Sequence, residues 1–500
     1  MSIKNIVLSA TVMLSMAVAA QTNELPRVAP EEMGIPSKAV YTTFDSLISL
    51  SNVELHSVVA LRGGKVIGEV YPKPFAATYD HTLYSCSKTF VSAAVGIAIG
   101  ENRLRLTDRA ATFFPQELPD TISSRLADIT VEDLLTMRAG ITPDWDMRNH
   151  FTDWLHQYLS KPVVSKPGKK FMYDSLCTYL LSAIVEKATG MNTLDYLKEK
   201  LFTPMHITEV EWEESPEGYN TGGWGLHIQP ESMAKFGQLL LQNGNWKGKQ
   251  LIPAEWVNAM MTRHAEAGNE DYCYQMWMCD YPETVRADGA YGQYIIVSRK
   301  ADMVVVVTQC SSYDGMNYRS IIYRNLFDAI GKSAKPGNEY RKLLKKQAAY
   351  SLPLVKGKSG NRGVEKQCDG LAATLSPNKL GWQSVKFNFE KNRLVLEVID
   401  GRGDKSDIEC GYGKWLTTPI KAYPPYSIMA KNRYKGLDKS FTAAGSYAWQ
   451  KDGSLVLKIH YVDWISSLLL KVKFDNGKFS IESKPNYDGA TEQINGIVPR

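Results

Sequence analysis

The feature that most constrains the fold is an apolar helix carrying a single charge. From Tyr84 to Gly100 the residues are mostly small and apolar, and Lys88 is the only charged residue among them. A helix that is hydrophobic on every side is buried in a protein core. A lysine on such a helix loses contact with water, which disfavours its charged form and lowers its pKa. The sequence therefore predicts a buried lysine with a lowered pKa. The alternative is a buried lysine that has only a structural role, with its hydrogen bonds made to neighbouring residues.

Ser85 stands three residues before Lys88, and residues three apart share one face of a helix. Cys86 lies about 100° further round the helix, so we interpret it as a packing residue. The same S-x-x-K spacing occurs twice more, at Ser232 with Lys235 and at Ser376 with Lys379. The last pair contains a proline and is typical of a turn. We expect Lys235 to lie solvated on the polar edge of a helix, where a lysine keeps its ordinary pKa.

Predicted strands bracket a long helical stretch. Residues 55–72 form two apolar runs around Arg-Gly-Gly-Lys, and QYIIVSR and MVVVVTQC follow DGAYG further along. The intervening region, about 103–225, is mostly helical in pattern. We expect an α+β domain over residues 21–335, in which an antiparallel sheet is flanked by helices and carries an all-helical insert lobe. A cleft between sheet domain and insert is a natural place for a site.

Strand patterns dominate the end of the chain. SVKFNFE, RLVLEVID, SLVLKIHYV and SLLLKVKFD alternate apolar and polar residues and are separated by turns such as KDG and DNG. We predict a linker over residues 336–350 and a separate all-β domain, a sandwich or small barrel, over residues 351–500. Neither the role nor the partner of this second domain follows from the sequence.

The first twenty residues are typical of a secretory signal peptide. They combine one lysine, the apolar run IVLSATVMLSMAVA and small residues at the cleavage positions. We therefore expect a periplasmic or secreted protein, with no transmembrane segment elsewhere. The net charge of +5 comes from scattered residues, which gives no indication of nucleic-acid binding. The eight histidines form no zinc-binding pattern, so we expect neither a metal nor an organic cofactor.

Several stretches together resemble one known superfamily. SCSKTFVSAAVGIAIGENRLRLTD, VEDLLTMRAGI, FMYDSLCTYLLSAIVEKATG and GAYGQYIIVSRKADMVVVVT are similar to the serine β-lactamases and penicillin-binding proteins. The likeness is greatest to the class C-like branch, which includes esterases, D-aminopeptidases and 6-aminohexanoate-oligomer hydrolases. It covers about residues 30–332. The resemblance implies a β-lactamase/transpeptidase-like fold, with Ser85 as nucleophile and Lys88 as its partner.

The second element of that family is Tyr-x-Asn, with the tyrosine as general base. Here it reads Tyr173-Asp174-Ser175, so the resemblance implies Tyr173 as base and puts Ser175 in place of the asparagine. Ser175 either contacts Lys88 or substrate, or merely caps the following helix.

The third element, Lys-Thr-Gly, is replaced by Ala-Asp-Gly-Ala at residues 287–290. The resemblance still implies an oxyanion hole from the backbone N–H groups of Ser85 and Ala290. The missing residues bind carboxylates in the family, and Arg286 is a candidate substitute. Gln293 and Trp145 are further candidates for contact with substrate.

These observations predict an exported serine hydrolase that forms an acyl-enzyme on Ser85 and cleaves a small ester, amide or peptide. Carboxylesterase and D-peptidase activities fit best, and β-lactam hydrolysis is expected to be weak or absent. A catalytically silent binding or sensor protein that reuses the cleft is the alternative, because two family elements have changed.

Overall fold

The computed structural model describes residues 25–311, 318–332, 335–426, 428, 430–475 and 478–498. The predicted signal peptide, residues 1–20, lies outside the described residues. None of the helices in these ranges combines the length and the apolar character that crossing a bilayer requires.

The predicted strands at the two ends of the first domain join in one antiparallel sheet, as expected. Val53–Arg62 pairs with Lys65–Val70 on one side and with Met303–Ser311 on the other. This pairing brings sequence-distant segments together at the centre of the domain. In order across the sheet, the eight strands are Lys65–Val70, Val53–Arg62, Met303–Ser311, Gln293–Ser298, Thr284–Gly289, Trp277–Met278, Glu270–Tyr272 and Ala265–Ala267.

Helices cover both faces of this sheet. Val58 and Ala60 pack into one hydrophobic core, while Val59 and Leu61 pack into the other, as the period of two along a strand requires. The α-helices of the described residues are Ser37–Ile48, Ser87–Gly100, Ser124–Asp128, Val131–Leu135, Met147–His150, Trp154–Leu159, Ser175–Thr189, Thr193–Leu197, Pro230–Leu241, Ala254–Met260, Tyr318–Asn325, Asn338–Ala349 and Arg362–Cys368. Short 3-10 turns are Pro30–Met33, Tyr84–Cys86, Ala110–Phe113, Thr203–Met205 and Phe327–Ala329, and Lys198–Phe202 is a π-helical turn.

The insert between residues 103 and 225 is mainly helical but contains one strand that the sequence analysis did not predict. Val210–Trp212 pairs with Leu226–Ile228, which also pairs with His81–Thr82. In EVEWEE the apolar residues alternate with glutamates, which suits a half-buried strand. A separate two-stranded ribbon joins Asn245–Trp246 and Lys249–Gln250.

The C-terminal region is a β-barrel. Residues of Arg393–Asp400 alternate between half-exposed and buried, so one face of the strand fills the barrel core. Cys410, Gly411 and Tyr412 pair in parallel with residues 445–447, and this contact closes the sheet. The ten strands are Ala372–Leu375, Trp382–Glu390, Arg393–Asp400, Lys405–Tyr412, Leu416–Ile420, Phe441–Trp449, Leu455–Tyr461, Ser467–Asp475, Lys478–Pro485 and Glu492–Ile497.

The segment predicted as a linker is largely helical. Asn338–Ala349 lies against the first domain, where Lys346 forms an ion pair of 2.8 Å with Asp45. Tyr350 donates a hydrogen bond of 2.6 Å to the same carboxylate. The segment that leads into the barrel is therefore attached to the helix Ser37–Ile48 of the first domain.

Glu54 connects the central sheet directly to the barrel. Its carboxylate lies 3.2 Å from Lys458 Nζ and accepts a hydrogen bond of 2.7 Å from Ser467. Burial opposes ionisation of Glu54, but interactions with His460, Lys458 and Ser467 outweigh it and lower its pKa to about 2.

Replacing Glu54 by Gln tests this contact. Because the folded-state pKa is depressed, ionised Glu54 stabilises the folded state above pH 4.5, and this contribution is lost as the pH falls towards about 2. We expect Glu54→Gln to lower the free energy of unfolding by about 2 kcal/mol at neutral pH. The difference from wild type, followed by thermal unfolding, should shrink below pH 4.5. Glu482→Gln, an exposed change on the barrel, is the control; a deficit independent of pH would contradict the assignment.

Candidate active site

Ser85 lies in the 3-10 turn Tyr84–Cys86, which leads directly into the helix Ser87–Gly100, here called the Lys88 helix. Tyr84 has a φ of +48°, a conformation that side-chain-bearing residues rarely adopt and that is common at functional sites. Tyr84 and Cys86 are buried, whereas Ser85 is half-buried and lines a cleft. The strained turn thus presents one hydroxyl group to the cleft.

Lys88 is buried, with 1% of its surface exposed. Its Nζ donates three hydrogen bonds, to Ser85 Oγ at 2.9 Å, to Ser175 Oγ at 2.9 Å and to the carbonyl of Gly223 at 2.6 Å. Within the described ranges no carboxylate forms an ion pair with it. Burial lowers the pKa of Lys88 to about 7, although the charge of Asp174 opposes the shift. A large fraction of Lys88 is therefore neutral near neutral pH and able to accept the proton of Ser85.

Asp174 and Ser175 divide the two roles that the sequence left open. Asp174 caps the helix Ser175–Thr189 by accepting a hydrogen bond of 3.0 Å from Leu176 N, and it also accepts one of 2.9 Å from Tyr158. Burial raises the pKa of this carboxyl group. Ser175 is the first residue of the helix, and its hydroxyl accepts from Lys88 instead of capping.

Tyr173 lies beside this pair. It is half-buried and lines the same cleft as Ser85. Lys88 Nζ is 5.0 Å from the centre of its ring, so the amine faces the aromatic surface. Trp277 and Trp145 flank it at ring distances of 5.5 and 6.5 Å. The three residues that the resemblance associates with catalysis are thus brought together.

Ala290 directly follows the strand Thr284–Gly289. Gly289 permits the close approach of this strand, because a Cβ atom there would lie 2.3 Å from the carbonyl oxygen of Leu83. Ala290 and Ser85 both line the cleft. The two segments that the resemblance associates with an oxyanion hole therefore border the same cleft.

Gln293 lies behind this turn. It is fully buried, and its amide nitrogen donates to the carbonyls of Ala290 at 3.0 Å and Gln309 at 2.7 Å. The Cys86 thiol, whose pKa burial raises well above its usual range, donates to the carbonyl of Gln293 at 3.2 Å. Gln293 therefore supports the Ala290 turn from within the sheet, and its side chain does not lie in the position of a substrate contact that the sequence suggested.

Arg286 lines the cleft, but carboxylates already surround it. It forms ion pairs of 2.7 Å with Asp288 and with Glu270, and donates to the carbonyl of Met278 at 2.7 Å. Only 2% of its surface is exposed. Its charge is balanced within the protein, which disfavours the expected role as a substitute carboxylate clamp.

The cleft has a volume of about 630 Å³ and an aromatic lining. Trp145, which is 45% exposed, lines it together with Trp224 and Trp277. Tyr426 and Ile428 close one side, and both belong to the 421–440 loop, which connects two strands of the barrel. The second domain therefore supplies part of the cleft wall, which local sequence patterns do not indicate.

The expectation that Lys235 lies solvated on the helix surface is wrong. Its side chain is buried and donates to the carbonyls of Met205 at 3.2 Å and His206 at 3.3 Å. The 3-10 turn Thr203–Met205 covers the helix face that periodicity assigned to solvent. Lys235 does not line the cleft around Ser85.

Two further residues of the site were missed from the sequence. Gly223 offers its carbonyl to Lys88, and a Cβ atom at this position would lie 2.5 Å from the carbonyl oxygen of Ser175. The glycine-rich stretch TGGWG was a usable signal of close backbone approach. Arg148 also lines the cleft, and nothing in its local sequence distinguishes it from a surface arginine. In the part of the chain that the structure describes, no group of three or more His, Cys, Asp or Glu side chains is arranged to hold a metal.

The model of the family described as "Beta-lactamase" matches residues 56–326. The chain belongs to the beta-lactamase family. The 6-aminohexanoate-dimer hydrolase of Paenarthrobacter ureafaciens is 21% identical to this family member over 277 residues, which are 50% of this chain and 70% of that protein. A beta-lactamase of Escherichia coli (strain K12) is 23% identical over 159 residues, 30% of this chain and 41% of that protein.

Among solved structures, EstCE1, described as a hydrolase with promiscuous acyltransferase activity, matches with a TM-score of 0.50 at 16% identity. The match covers 60% of this chain and 99% of that one. The fold is thus that of the serine β-lactamase and penicillin-binding-protein superfamily, and the resemblance to its class C-like branch is confirmed.

The pKa of Lys88 predicts a pH dependence. Because the neutral amine is the form that accepts a proton, we expect kcat/KM for an ester to rise with pH along a limb centred near 7. Lys88→Arg, which stays charged, should remove the limb and lower kcat/KM by at least about 100-fold. Tyr173→Phe should lower kcat but keep the limb. Lys235→Arg is the control, and its retention of the wild-type profile is expected; a limb that survives in Lys88→Arg would contradict the assignment.

Proposed function

We propose that this protein is a serine hydrolase that cleaves an ester or an amide through an acyl-enzyme on Ser85. One observation carries the proposal: a buried lysine, with its pKa lowered to about 7, is hydrogen-bonded to a serine hydroxyl that lines an aromatic cleft. Nucleophilic serines are activated in this way by an adjacent base.

In the proposed mechanism, neutral Lys88 accepts the hydroxyl proton of Ser85 while Ser85 Oγ forms a bond to the substrate carbonyl carbon. The carbonyl π electrons move to the oxygen, which the N–H groups of Ser85 and Ala290 stabilise. Collapse breaks the bond to the leaving group, which Tyr173 protonates. Water then attacks the acyl carbon and gives one proton to the deprotonated Tyr173, and the protonated Lys88 returns its proton to Ser85 Oγ as the ester bond breaks. The hydrogen bond from Lys88 to Ser85 favours Lys88 for the first transfer, whereas the family resemblance assigns that step to Tyr173.

For the substrate, we propose a small carboxylic ester, amide or peptide. The family's Lys-Thr-Gly sequence is missing and Arg286 is paired with two carboxylates, so we expect weak or absent β-lactam hydrolysis. The relative named for 6-aminohexanoate-dimer hydrolysis supports an amide, and the hydrolase EstCE1 supports acyl transfer more generally. Neither a metal nor an organic cofactor enters this chemistry, and we propose no nucleic-acid partner.

We also propose the organisation in which the protein works. Residues 1–20 direct export to the periplasm or outside the cell, residues 21–335 form the hydrolase domain, and residues 351–500 form the second domain. The apolar and small residues of the first segment and the barrel strands of the last support these boundaries.

The second candidate function is that of a catalytically silent binding or sensor protein. It is favoured by the replacement of the family's asparagine by Ser175 and by the loss of Lys-Thr-Gly. The retained hydrogen bond between Lys88 and Ser85 argues against it, because a silent protein has no need to desolvate a lysine beside a serine.

Labelling with a fluorophosphonate probe tests the nucleophile. We expect wild type to be labelled with 1:1 stoichiometry and Ser85→Ala to remain unlabelled, because the phosphonyl group bonds to an activated serine oxygen. Ser232→Ala, in the second S-x-x-K pair, is the matched control and should label like wild type. Rates with p-nitrophenyl butyrate, a D-alanyl peptide and nitrocefin then rank ester, peptide and β-lactam. An unlabelled wild type with no turnover of any of the three would favour the silent protein.

Tyr426 gives a test of the barrel's contribution to the cleft. Its ring packs 5.9 Å from that of Tyr84 and lines the cleft, so Tyr426→Ala should enlarge the space for long acyl chains. We expect the ratio of kcat/KM for p-nitrophenyl octanoate to that for the acetate to rise about tenfold. Tyr423→Ala, an exposed change in the same loop that does not line the cleft, is the control. An equal rise of this ratio in both variants would contradict the assignment, because it would show a general loss of packing in the loop and not the removal of one side chain from the cleft wall.

A further inference from the structure

Arg148 is a buried cation whose charge the protein does not neutralise by a direct contact. Only 4% of its surface is exposed, and the residue lines the cleft that contains Ser85. Its Nε donates to the carbonyl of Trp145 at 2.9 Å. Among the described residues, no carboxylate lies within ion-pair distance of its guanidinium group, and its two terminal nitrogens have no hydrogen-bond acceptor. A guanidinium held almost out of water at the wall of a cleft, without a counter-ion, is stabilised by an anion that binds in that cleft.

The aromatic surroundings hold the guanidinium in place. Its central carbon lies 5.2 Å from the ring of Trp145 and 4.8 Å from that of Trp224. Such contacts fix the plane of an arginine without using its terminal N–H groups. The fork of donors that remains has the geometry that matches a carboxylate.

Two of the neighbouring acids are engaged elsewhere. Glu213 is buried and pairs at 2.8 Å with Arg433, which belongs to the 421–440 loop of the barrel. Asp174 accepts hydrogen bonds from Tyr158 and from Leu176 N. Burial, with the nearby charge of Arg433, lowers the pKa of Arg148 to about 10, so the group is still charged at neutral pH. Glu213 is therefore paired with an arginine of the barrel, Arg433, and not with Arg148.

The backbone of Arg148 is tied to the barrel as well. Its carbonyl accepts a hydrogen bond of 2.8 Å from Lys431 N of the same loop. Arg148 also lies within electrostatic range of the catalytic pair, since its charge contributes to lowering the pKa of Lys88, after burial itself. Arg148 is thus fixed by both domains and directed into the cleft near Ser85.

We propose that Arg148 binds a carboxylate group carried by the substrate that acylates Ser85. This inference rests on the proposed function and assigns the charge of its substrate: the protein prefers esters or amides that bear an anionic group on the acyl or the leaving side. Arg286 does not take this role, because Asp288 and Glu270 already neutralise it.

Two matched substrate pairs test the proposal. Mono-p-nitrophenyl glutarate and p-nitrophenyl valerate differ in a carboxylate on the acyl side, and 4-acetoxybenzoate and phenyl acetate differ in one on the leaving side. The readout is the ratio of kcat/KM for the anionic to the neutral member of each pair. We expect Arg148→Met to lower one of the two ratios by about 10- to 100-fold, and Arg148→Lys to give an intermediate value. Arg103→Met, a change at an exposed arginine away from the cleft, should leave both ratios at the wild-type value.

A binding measurement separates this proposal from the proposed function. Glutarate should raise the melting temperature of Ser85→Ala and should not raise that of Ser85→Ala/Arg148→Met. If the wild type hydrolyses the neutral esters and neither ratio changes in correctly folded Arg148 variants, the carboxylate site is overturned while the hydrolase stands. If wild type hydrolyses nothing and glutarate still binds through Arg148, the hydrolase fails and the anion site stands. If glutarate stabilises both Ser85→Ala proteins equally and no ratio depends on Arg148, the proposal is wrong.

Discussion

The burial of one amine, Lys88 Nζ, organises the site and the domain around it. An ammonium group removed from water is unfavourable unless hydrogen-bond acceptors replace the lost solvent. Here the acceptors come from three different segments: the turn of Ser85, the first residue of the insert helix at Ser175, and the glycine loop at Gly223. The segments must assemble around a single nitrogen, and the same desolvation that requires them lowers the pKa of that nitrogen to about 7. The assembly of the three segments and the lowered pKa of Lys88 therefore have one physical cause.

The close contacts around Lys88 depend on residues without side chains. Gly223 can offer its carbonyl only because no Cβ atom meets Ser175, and Gly289 brings the edge of the sheet against Leu83 for the same reason. Larger residues at these points would separate the insert from the nucleophile turn, or the turn from the Ala290 strand. The glycines thus set how closely the insert and the Ala290 strand approach the turn of Ser85 and Lys88.

Much of this arrangement follows from local sequence, and the rest depends on contacts distant in the chain. The chargeless helix predicts the burial of Lys88, and spacing places Ser85 beside it. Periodicity fails for Lys235 because a turn thirty residues away covers its face of the helix. It fails for Gln293 because the alternation of side chains along a strand does not by itself show which face of the sheet points towards the cleft. Tyr426 and Ile428, which form part of the cleft wall, come from another domain. Local sequence patterns do not show that residues so distant along the chain meet Ser85 at one cleft.

The distribution of charge in the cleft connects the barrel to the chemistry. Along the strand that carries Lys-Thr-Gly in the family, Arg286 is neutralised by two acids, so this edge offers the backbone donors and little net charge. Arg433 of the barrel likewise forms an ion pair with Glu213. Arg148 therefore remains a charged group between two tryptophans, without an acidic partner in the part of the chain that the structure describes. Among the described residues that line the cleft, Arg148 of the insert is thus the arginine without an ion pair, while Glu213 pairs with Arg433 of the barrel. The proposed carboxylate site therefore lies on the side of the cleft where the insert and the barrel meet, and Ser85 lines the same cleft.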